Sequence, residues 1–254
     1  MKVLRDTWLI FRHETEVMAR NPGLIALTLA QPIAYLVFFA PFLKAAMATR
    51  GVDDYGDAYA VYVPGLFVAM GLFGGLYAGY GLLSSLRAGV IDRCRVTPVS
   101  RTGLVLGRAL MHVALLEFQA TVITLAALPL GLRVSPLDLA VSYALLSLVI
   151  LLSISVSYGI AMLVRNENSL GTLINTVGQP VSLLAGAVIP LALAPLWVQD
   201  VSRWNPFAWA TDGLRALFTG GFTDPAVWQG ALVMVAACAV SVGWSVRLFN
   251  REVS

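Results

Sequence analysis

The stretch SSLRAGVIDRCRVTPVSRTGLVLGR, residues 84–108, decides the fold. Five arginines gather in it: Arg87, Arg93, Arg95, Arg101 and Arg108. It lies between two apolar blocks, each long enough to cross a bilayer. Because the translocation of Lys and Arg across a membrane is disfavoured, a loop of this kind stays on the cytoplasmic side. We therefore expect it to face soluble machinery and to act as a docking loop.

The composition predicts a membrane protein with several spans. The chain has 254 residues, of which 58% are hydrophobic and 12% are charged. A soluble domain carries about 25% charged residues, so this chain has too few to cover a water-soluble surface. Its two cysteines, Cys94 and Cys238, form neither a Cys-x-x-Cys motif nor a Cys/His cluster, and no metal site is expected. The first twenty residues are not typical of a cleaved signal peptide, so the first apolar block is predicted to be a retained span.

Six apolar blocks reach or approach the roughly 20 residues that a crossing needs, and they predict an all-α integral membrane protein. The blocks cover residues 24–42, 59–83, 104–130, 137–164, 170–193 and 226–249. In the second block Gly71, Gly75 and Gly79 recur at four-residue spacing, which is typical of closely packed membrane helices. The third block carries Glu117, a costly carboxylate in lipid that must be protonated, paired or in a wet cavity. We interpret it as a possible pathway residue or a structural one. The spans show no polar or aromatic ladder typical of a channel for soluble sugars.

Residues 3–20 predict an amphipathic helix before the first span. Leu4, Trp8, Phe11 and Met18 share one face at a helical period. Basic residues and a tryptophan suit a helix that lies in the cytoplasmic headgroup layer. A helix packed on protein fits the same pattern, and both interpretations stay open.

The distribution of basic residues predicts the topology. Twelve of the seventeen Lys and Arg residues fall on the side of the two termini and the arginine-rich loop, and five fall on the other side. The positive-inside rule then places both termini and residues 84–103 in the cytoplasm. Within that loop, residues 89–96 predict a short helix that Pro98 stops, and Ser100 is placed to cap the next span. This arrangement suits a lever, although a charged loop that only fixes topology would have the same composition.

A second polar segment, residues 195–225, lies on the opposite side and predicts a re-entrant or interfacial helix. Asn205 is placed as the N-cap, Pro206 as the first helical residue, and Gly220 and Gly221 as the end. One face of this helix carries Phe207, Thr211, Leu214 and Phe218, and on another side Asp212 and Arg215 are spaced for an ion pair. Four of the six tryptophans fall in or beside this segment, at positions 197, 204, 209 and 228, as expected at headgroup level.

The chain resembles permease subunits of the type-2 ABC exporter family, and within it the daunorubicin-resistance or lipooligosaccharide-export branch. Two motifs carry the resemblance, RAGVIDRCRVTPVSR at residues 87–101 and NPFAWATDGLR at residues 205–215. The resemblance implies that the first motif holds a coupling helix that enters a cleft of a partner ATPase. Its candidate coupling residues are Arg87, Val90, Ile91, Asp92, Arg93, Arg95 and Pro98. The second motif is then the outer gate, with Asn205, Pro206, Trp209, Asp212 and Arg215.

The resemblance also implies the partners of the chain. No Gly-x-x-x-x-Gly-Lys-Ser/Thr motif occurs in the sequence, so the chain has no phosphate-binding loop of its own. We expect one permease domain over residues 1–254, with no bound cofactor, paired with a second identical or paralogous permease and with ATPase subunits that hold ATP and Mg²⁺. We expect the chain in the inner membrane of a prokaryote, where it exports a drug, a lipid or a lipid-linked glycan. No nucleic-acid partner is expected.

Three other classes of protein compete with this one. A proton-coupled carrier would use Glu117, although such carriers usually hold more intramembrane charge. An intramembrane enzyme is disfavoured because no Gly-x-Ser-x-Gly, His-Glu-x-x-His or paired intramembrane aspartates occur. A membrane scaffold without transport activity stays open.

Overall fold

The computed structural model describes residues 2–47, 55–87 and 101–253, and within them the chain is helical with no strand. The helices, in chain order, are α1 (Lys2–Ala19), α2 (Pro22–Met47), α3 (Tyr55–Arg87), α4 (Arg101–Ala127), α5 (Pro136–Val164), α6 (Glu167–Leu184), α7 (Leu196–Ser202), α8 (Pro206–Thr219) and α9 (Pro225–Val253). Short 3-10 turns occur at Leu128–Leu130 and Leu191–Leu193.

Four helices are long and apolar enough to cross a membrane, which agrees with the predicted class of integral membrane protein. The apolar segments are Gly56–Ser85 in α3, Thr102–Leu130 from α4, Pro136–Val164 in α5 and Pro225–Leu248 in α9. In α2 the apolar stretch found among described residues is the shorter Ile25–Phe38. The number of six spans therefore stays a prediction.

Helix α3 lies at the centre of the bundle and contacts α2, α4, α5, α6 and α8. Its closest partner is α5, and the glycines of α3 lie at that contact. A Cβ atom on Gly75 would stand 2.5 Å from the Cβ of Ser153 and 2.9 Å from the Ile150 carbonyl oxygen. The Gly79 amide donates to the Ser157 hydroxyl at 3.2 Å. Small residues therefore let two backbones approach and share hydrogen bonds, as membrane helices commonly do.

The block predicted as one span over residues 170–193 differs in the structure. Helix α6 begins earlier, at Glu167, and ends at Leu184. The chain then turns back through Gly186, whose φ is +66°, a left-handed conformation that favours glycine. The turn packs under α3, where a Cβ on Gly65 would clash with the Ala187 carbonyl oxygen. A hydropathy window does not detect this break because the residues on both sides of it are apolar.

Helix α1 packs on protein along one face, as one of the two interpretations of its amphipathic pattern predicts. One face packs on α4, where a Cβ on Gly107 would lie 2.8 Å from the Thr7 carbonyl oxygen and from the Ile10 Cβ. The face that holds Leu4 and Trp8 points away from the bundle, with Leu4 76% exposed and Trp8 59% exposed. The helix is therefore held by protein on one side and presents an apolar side to its surroundings.

Candidate functional site

One end of the bundle carries the boundary of the arginine-rich loop. Arg87 is the last residue of α3, and its guanidinium lies 3.2 Å from a carboxylate oxygen of Glu167, at the start of α6. A second nitrogen of Arg87 donates to the Arg165 carbonyl at 3.5 Å. The end of α3 is thus tied to the turn between α5 and α6. The remaining candidate coupling residues lie outside the described residues: Val90, Ile91, Asp92, Arg93, Arg95 and Pro98.

Arg108 and Glu14 form a second link at this end, which the sequence analysis did not identify. Arg108 Nε lies 3.0 Å from Glu14 Oε1, and Nη1 donates to the Gly81 carbonyl at 3.1 Å and to the Ser85 hydroxyl. One side chain therefore joins α1, α3 and α4. The sequence signal that favours this packing is Gly103 and Gly107, a four-residue glycine spacing that brings α1 close to α4.

Glu117 lies within α4, at a half-buried position facing α5. Its Oε1 accepts a hydrogen bond of 2.8 Å from the Ser147 hydroxyl. The carboxylate thus has a neutral partner, and no ion pair to it occurs among the described residues. A carboxylate placed in this way is costly in lipid unless it is protonated or reached by water.

Helix α6 carries a polar face that the sequence analysis missed when it found no polar ladder. Asn168, Thr172, Asn175 and Gln179 follow one another at spacings of four, three and four residues, and all four are exposed. The neighbouring face of α6 is buried in the bundle and consists of Leu170, Ile174, Gly178 and Ser182. The polar residues recur at the spacing of one helix face, so the signal was present in the sequence.

This polar face needs a polar environment. Thr172 and Asn175 each donate one hydrogen bond of 2.9 Å to a backbone carbonyl of their own helix. Within the described part of the chain, the Gln179 amide has no hydrogen-bond partner. Exposed amides are unfavourable against lipid tails, because nothing there accepts or donates a hydrogen bond. The face of α6 therefore suits contact with water or with polar protein groups.

At the other end of the bundle, Asn205 caps α8 and fixes it to α6. Its Oδ1 accepts from the Phe207 amide at 3.1 Å, and its Nδ2 donates to the Val181 carbonyl at 2.8 Å. Pro206 occupies the first helical position. The face of Phe207, Thr211, Leu214 and Phe218 is buried. The predicted helix, its cap and its apolar face are therefore present, and α8 is a packed element rather than a loose loop.

Arg215 binds main-chain carbonyls instead of the predicted aspartate. Its Nε donates to the Val61 carbonyl at 3.1 Å and its Nη2 to the Gly186 carbonyl at 2.5 Å. The predicted Asp212–Arg215 ion pair is wrong, since no oxygen of Asp212 lies within 4.0 Å of the guanidinium. Burial lowers the pKa of Arg215 to about 10, so the side chain stays cationic at neutral pH. Asp212 lies on the exposed side of α8.

Tryptophans surround this end of the bundle. Trp209 is half-buried, and its Nε1 donates to the Arg203 carbonyl at 2.9 Å. Trp197, Trp204 and Trp228 are 68%, 91% and 57% exposed. Exposed indole rings at one level of a helical bundle are typical of the membrane–water interface.

The chain matches a family model described as ABC-2 type transporter over residues 5–219, which is most of its length. The chain belongs to the ABC-2 type transporter family. This confirms the family that the motifs at residues 87–101 and 205–215 resemble. The match runs from Arg5 within α1 to Thr219, the last residue of α8.

Individual relatives within and around this family are distant. The putative transport permease ycf38 of Cyanophora paradoxa is 25% identical over 205 residues, covering 80% of this chain and 70% of that protein. The daunorubicin resistance ABC transporter permease protein DrrB1 of Streptomyces coeruleorubidus is 29% identical over 221 residues, covering 83% and 73%. The probable multidrug ABC transporter permease YbhR of Escherichia coli (strain K12) is 24% identical over 169 residues, covering 65% and 45%.

Membership of the ABC-2 type transporter family makes this chain a transport permease and a membrane protein that crosses the bilayer several times. Permease subunits of ABC transporters are not catalytic themselves, and the family in general works with an ATPase partner. The predicted absence of catalysis in this chain agrees with that assignment.

Proposed function

We propose that this chain is the membrane half of an ATP-driven exporter that moves a hydrophobic or amphipathic substrate out of the cytoplasm. The observation that carries the proposal is the polar face of α6, Asn168, Thr172, Asn175 and Gln179, on a helix whose neighbouring face packs in the bundle. In a family of transport permeases, a polar face that points out of one chain suits a path between two permeases. The second permease is an identical chain or a paralogue.

The proposed topology has six crossings, by α2, α3, α4, α5, α6 and α9, with both termini in the cytoplasm of a prokaryotic cell. The structure supports this because Arg87 contacts the turn between α5 and α6, and Arg108 in α4 donates to Ser85 near the end of α3. Arg87 at that end is the last described residue before the arginine-rich stretch, which the positive-inside rule retains in the cytoplasm. Helix α1 then lies at the cytoplasmic headgroup layer with Trp8 outward.

Energy enters through residues 84–103, which we propose to dock on a separate ATPase that binds ATP and Mg²⁺. ATP moves the permease only if it binds two states of the complex with different affinity. A push on the loop reaches α6 through the ion pair of Arg87 with Glu167, and it reaches α1 through that of Arg108 with Glu14. The two ion pairs connect the ends of the loop to different helices. One displacement of the loop can therefore rotate several helices together.

The exit is proposed to lie beside α8. Asn205, Pro206 and Trp209 set the position of this helix, and Arg215 holds it against α3 and the turn after α6. Asp212 lies on the exposed side and is available to a passing substrate or to the second permease. Drugs, lipids and lipid-linked glycans all fit a path with apolar walls and an aromatic outer rim. The names of DrrB1 and YbhR favour a drug among these classes.

One observation favours a proton-coupled carrier as a second candidate. Glu117 is half-buried in α4 and hydrogen-bonded to a neutral hydroxyl, the arrangement of a group that can exchange a proton. A proton relay commonly uses a chain of Asp, Glu and His side chains, and one such carboxylate is fewer than that. The exporter is therefore preferred.

The deciding experiment is purification of the tagged chain from its own membrane in mild detergent, with identification and stoichiometry of the co-purifying subunits. An ATPase subunit in equal amount supports the exporter, and its loss in a variant with both Ile91→Ala and Arg93→Ala places the contact in the loop. Arg133→Ala is the matched control, since Arg133 is an exposed arginine at the opposite end of the bundle. A chain that purifies without any nucleotide-binding partner contradicts the exporter and favours the carrier or a scaffold.

A further inference from the structure

Glu117 is an isolated charge at the middle depth of the bundle. It lies near the centre of the apolar segment Thr102–Leu130, about 20 Å from each end at 1.5 Å per residue. The six apolar blocks of the sequence contain two arginines, Arg108 and Arg247, and no lysine. Arg108 is already paired with Glu14, and Arg247 lies two residues before the end of its block. The sequence therefore offers this carboxylate no lysine or arginine at its own depth.

The histidine of the same helix does not take the place of a counterion. His112 precedes Glu117 by five positions, so at about 100° per residue the two side chains leave α4 in directions about 140° apart. No ion pair to Glu117 occurs among the described residues. The partner of an ionised Glu117 must therefore come from outside the chain.

The structure holds one oxygen of the Glu117 carboxylate and leaves the other available. Ser147 donates to Oε1 at 2.8 Å, across the gap between α4 and α5. Nearby hydroxyls on the same two helices, those of Thr121, Thr124 and Ser142, bind instead the carbonyl four residues earlier in their own helix. Within the described part of the chain every buried side-chain oxygen has a partner, and Oε2 has none. Oε2 is therefore not buried.

The surface around this oxygen is apolar and open. Leu110 lies two helical turns before Glu117 on the same side of α4, and it is 43% exposed. Leu151 lies one turn after Ser147 on the same side of α5, and it is 37% exposed. Phe118, next to Glu117 in the chain, is 51% exposed. A single carboxylate oxygen thus lies at the edge of an exposed apolar surface.

We propose that the α4–α5 seam, formed by Glu117, Ser147, Leu110 and Leu151, binds a lipophilic organic cation. The positive group meets Oε2, and the apolar body lies on the two leucines. An ionised carboxylate at this depth is costly unless it is paired, and such a cation supplies the charge that the chain lacks. It also covers the exposed apolar surface, which a proton on the carboxylate leaves uncovered.

A metal ion fits this place less well than an organic cation. Calcium and magnesium take about six or more oxygen ligands, whereas the seam offers those of one carboxylate and one hydroxyl. The described residues also contain no group of three or more His, Cys, Asp or Glu side chains that could hold a metal. The seam is separate from the polar face of α6, and binding is a property of this chain alone. The inference therefore does not depend on the proposed exporter.

The test measures equilibrium binding of tetraphenylphosphonium to the purified full-length chain in detergent, without ATP. Tetraphenylborate, measured separately, is the matched probe because it has the same shape and the opposite charge. We expect saturable binding of one tetraphenylphosphonium per chain and no saturable binding of tetraphenylborate. If the unmodified chain does not bind tetraphenylphosphonium, a proton alone neutralises Glu117 and the inference is wrong. Equal binding of the two probes also overturns it, since the surface would then not select for charge.

Variants of Glu117 locate the binding site. Glu117→Gln keeps the size of the side chain and an oxygen for Ser147, and it should lower the affinity for tetraphenylphosphonium about tenfold or more at an unchanged unfolding temperature. Glu117→Asp keeps the charge and should bind more tightly than Glu117→Gln. Glu16→Gln, which removes an exposed carboxylate of α1, is the control and should bind normally. Equal affinity of Glu117→Gln and the unmodified protein, or of Glu117→Gln and Glu117→Asp, contradicts the proposed site.

Discussion

The guanidinium of Arg108 lies 3.0 Å from the carboxylate of Glu14, although 94 residues separate them in the chain. The side chains of Arg108 and Glu14 are only 21% and 26% exposed. The same arginine also bonds to Gly81 and Ser85 of α3. Helix α1 is therefore part of the bundle, and its position follows that of α3 and α4.

Arg108→Gln should destabilise the protein more than a change in an exposed ion pair does. Hydrogen bonds to charged groups contribute about 1.5–3 kcal/mol each, and the variant loses several of them. A double-mutant cycle with Glu14→Gln, measured by thermal unfolding in detergent, should give a coupling free energy of about 1–3 kcal/mol. Arg12→Gln is the control, because Arg12 pairs with Glu16 at 2.7 Å while their side chains are 69% and 48% exposed. Such pairs contribute below about 1 kcal/mol. If the two variants lower the stability equally, the Arg108–Glu14 pair contributes no more than an exposed ion pair.

Gly75→Ala should lower the unfolding temperature by several degrees and reduce the yield of folded protein. The added methyl meets the Ile150 carbonyl, so α3 and α5 must separate, and overpacking of this kind costs about 1–3 kcal/mol. Gly81→Ala in the same helix has open space at its Cβ and should be neutral or slightly stabilising. Thermal unfolding followed by fluorescence compares the two. An unchanged unfolding temperature in Gly75→Ala would contradict the close α3–α5 contact.

Arg215→Lys should loosen the outer end of the bundle although it keeps the charge. A guanidinium can donate to the Val61 and Gly186 carbonyls at once, whereas an ammonium is a compact point charge that does not reproduce this fork. We expect a loss of about 1–3 kcal/mol in stability and faster proteolysis of residues 185–205. Arg203→Lys is the matched control, since Arg203 lies 3.6 Å from Asp200 with both side chains largely exposed. Unchanged protection of residues 185–205 in Arg215→Lys would contradict this role.

The sequence predicts the class of fold and the outer helix because both depend on local patterns. Long apolar blocks predict α3, α4, α5 and α9. Helix α8 is predicted by residues close to its own ends, namely Asn205, Pro206 and the glycines after Thr219. The end of α6 at Leu184 is missed because the chain stays apolar on both sides of it. What holds that turn is Arg215, which is 29 residues away from Gly186. An ion pair with Asp212 was predicted for this arginine because spacing alone does not show that a carbonyl is nearer.

Long-range contacts account for the other omissions in the candidate site. Nothing in a single sequence pairs Glu14 with Arg108 or Glu117 with Ser147, since each pair joins two helices whose relative rotation is set by packing. The polar face of α6 is different, because its spacing is visible in the sequence. The prediction of one apolar span over residues 170–193 hides this face, because apolar residues outnumber the polar ones in that block.

Gln179→Leu and Asn175→Leu should impair transport while they leave the fold intact. Both side chains lie on the polar face of α6, away from the buried face, so their replacement removes amides from the proposed path and disturbs no packing. ATP-dependent uptake of a fluorescent hydrophobic dye into inverted vesicles should fall several-fold, with unchanged unfolding temperature. Val177→Leu, another exposed position on α6, should behave like the unmodified protein. Normal uptake in both amide variants would show that the path lies along another helix.

Glu117 distinguishes the two candidate functions through the energy source that transport requires. Glu117→Gln keeps an oxygen that can accept from Ser147, so it removes the charge and the exchangeable proton while it preserves the hydrogen bond. For an ATP-driven exporter we expect this variant to transport at close to the normal rate, and an uncoupler that collapses the proton gradient to have little effect while ATP is present. Glu117→Leu, which also loses the hydrogen bond, is the control for a purely structural role and should lower the unfolding temperature. Transport that stops in Glu117→Gln and with the uncoupler, but survives ATP depletion in the unmodified protein, would instead establish the proton-coupled carrier.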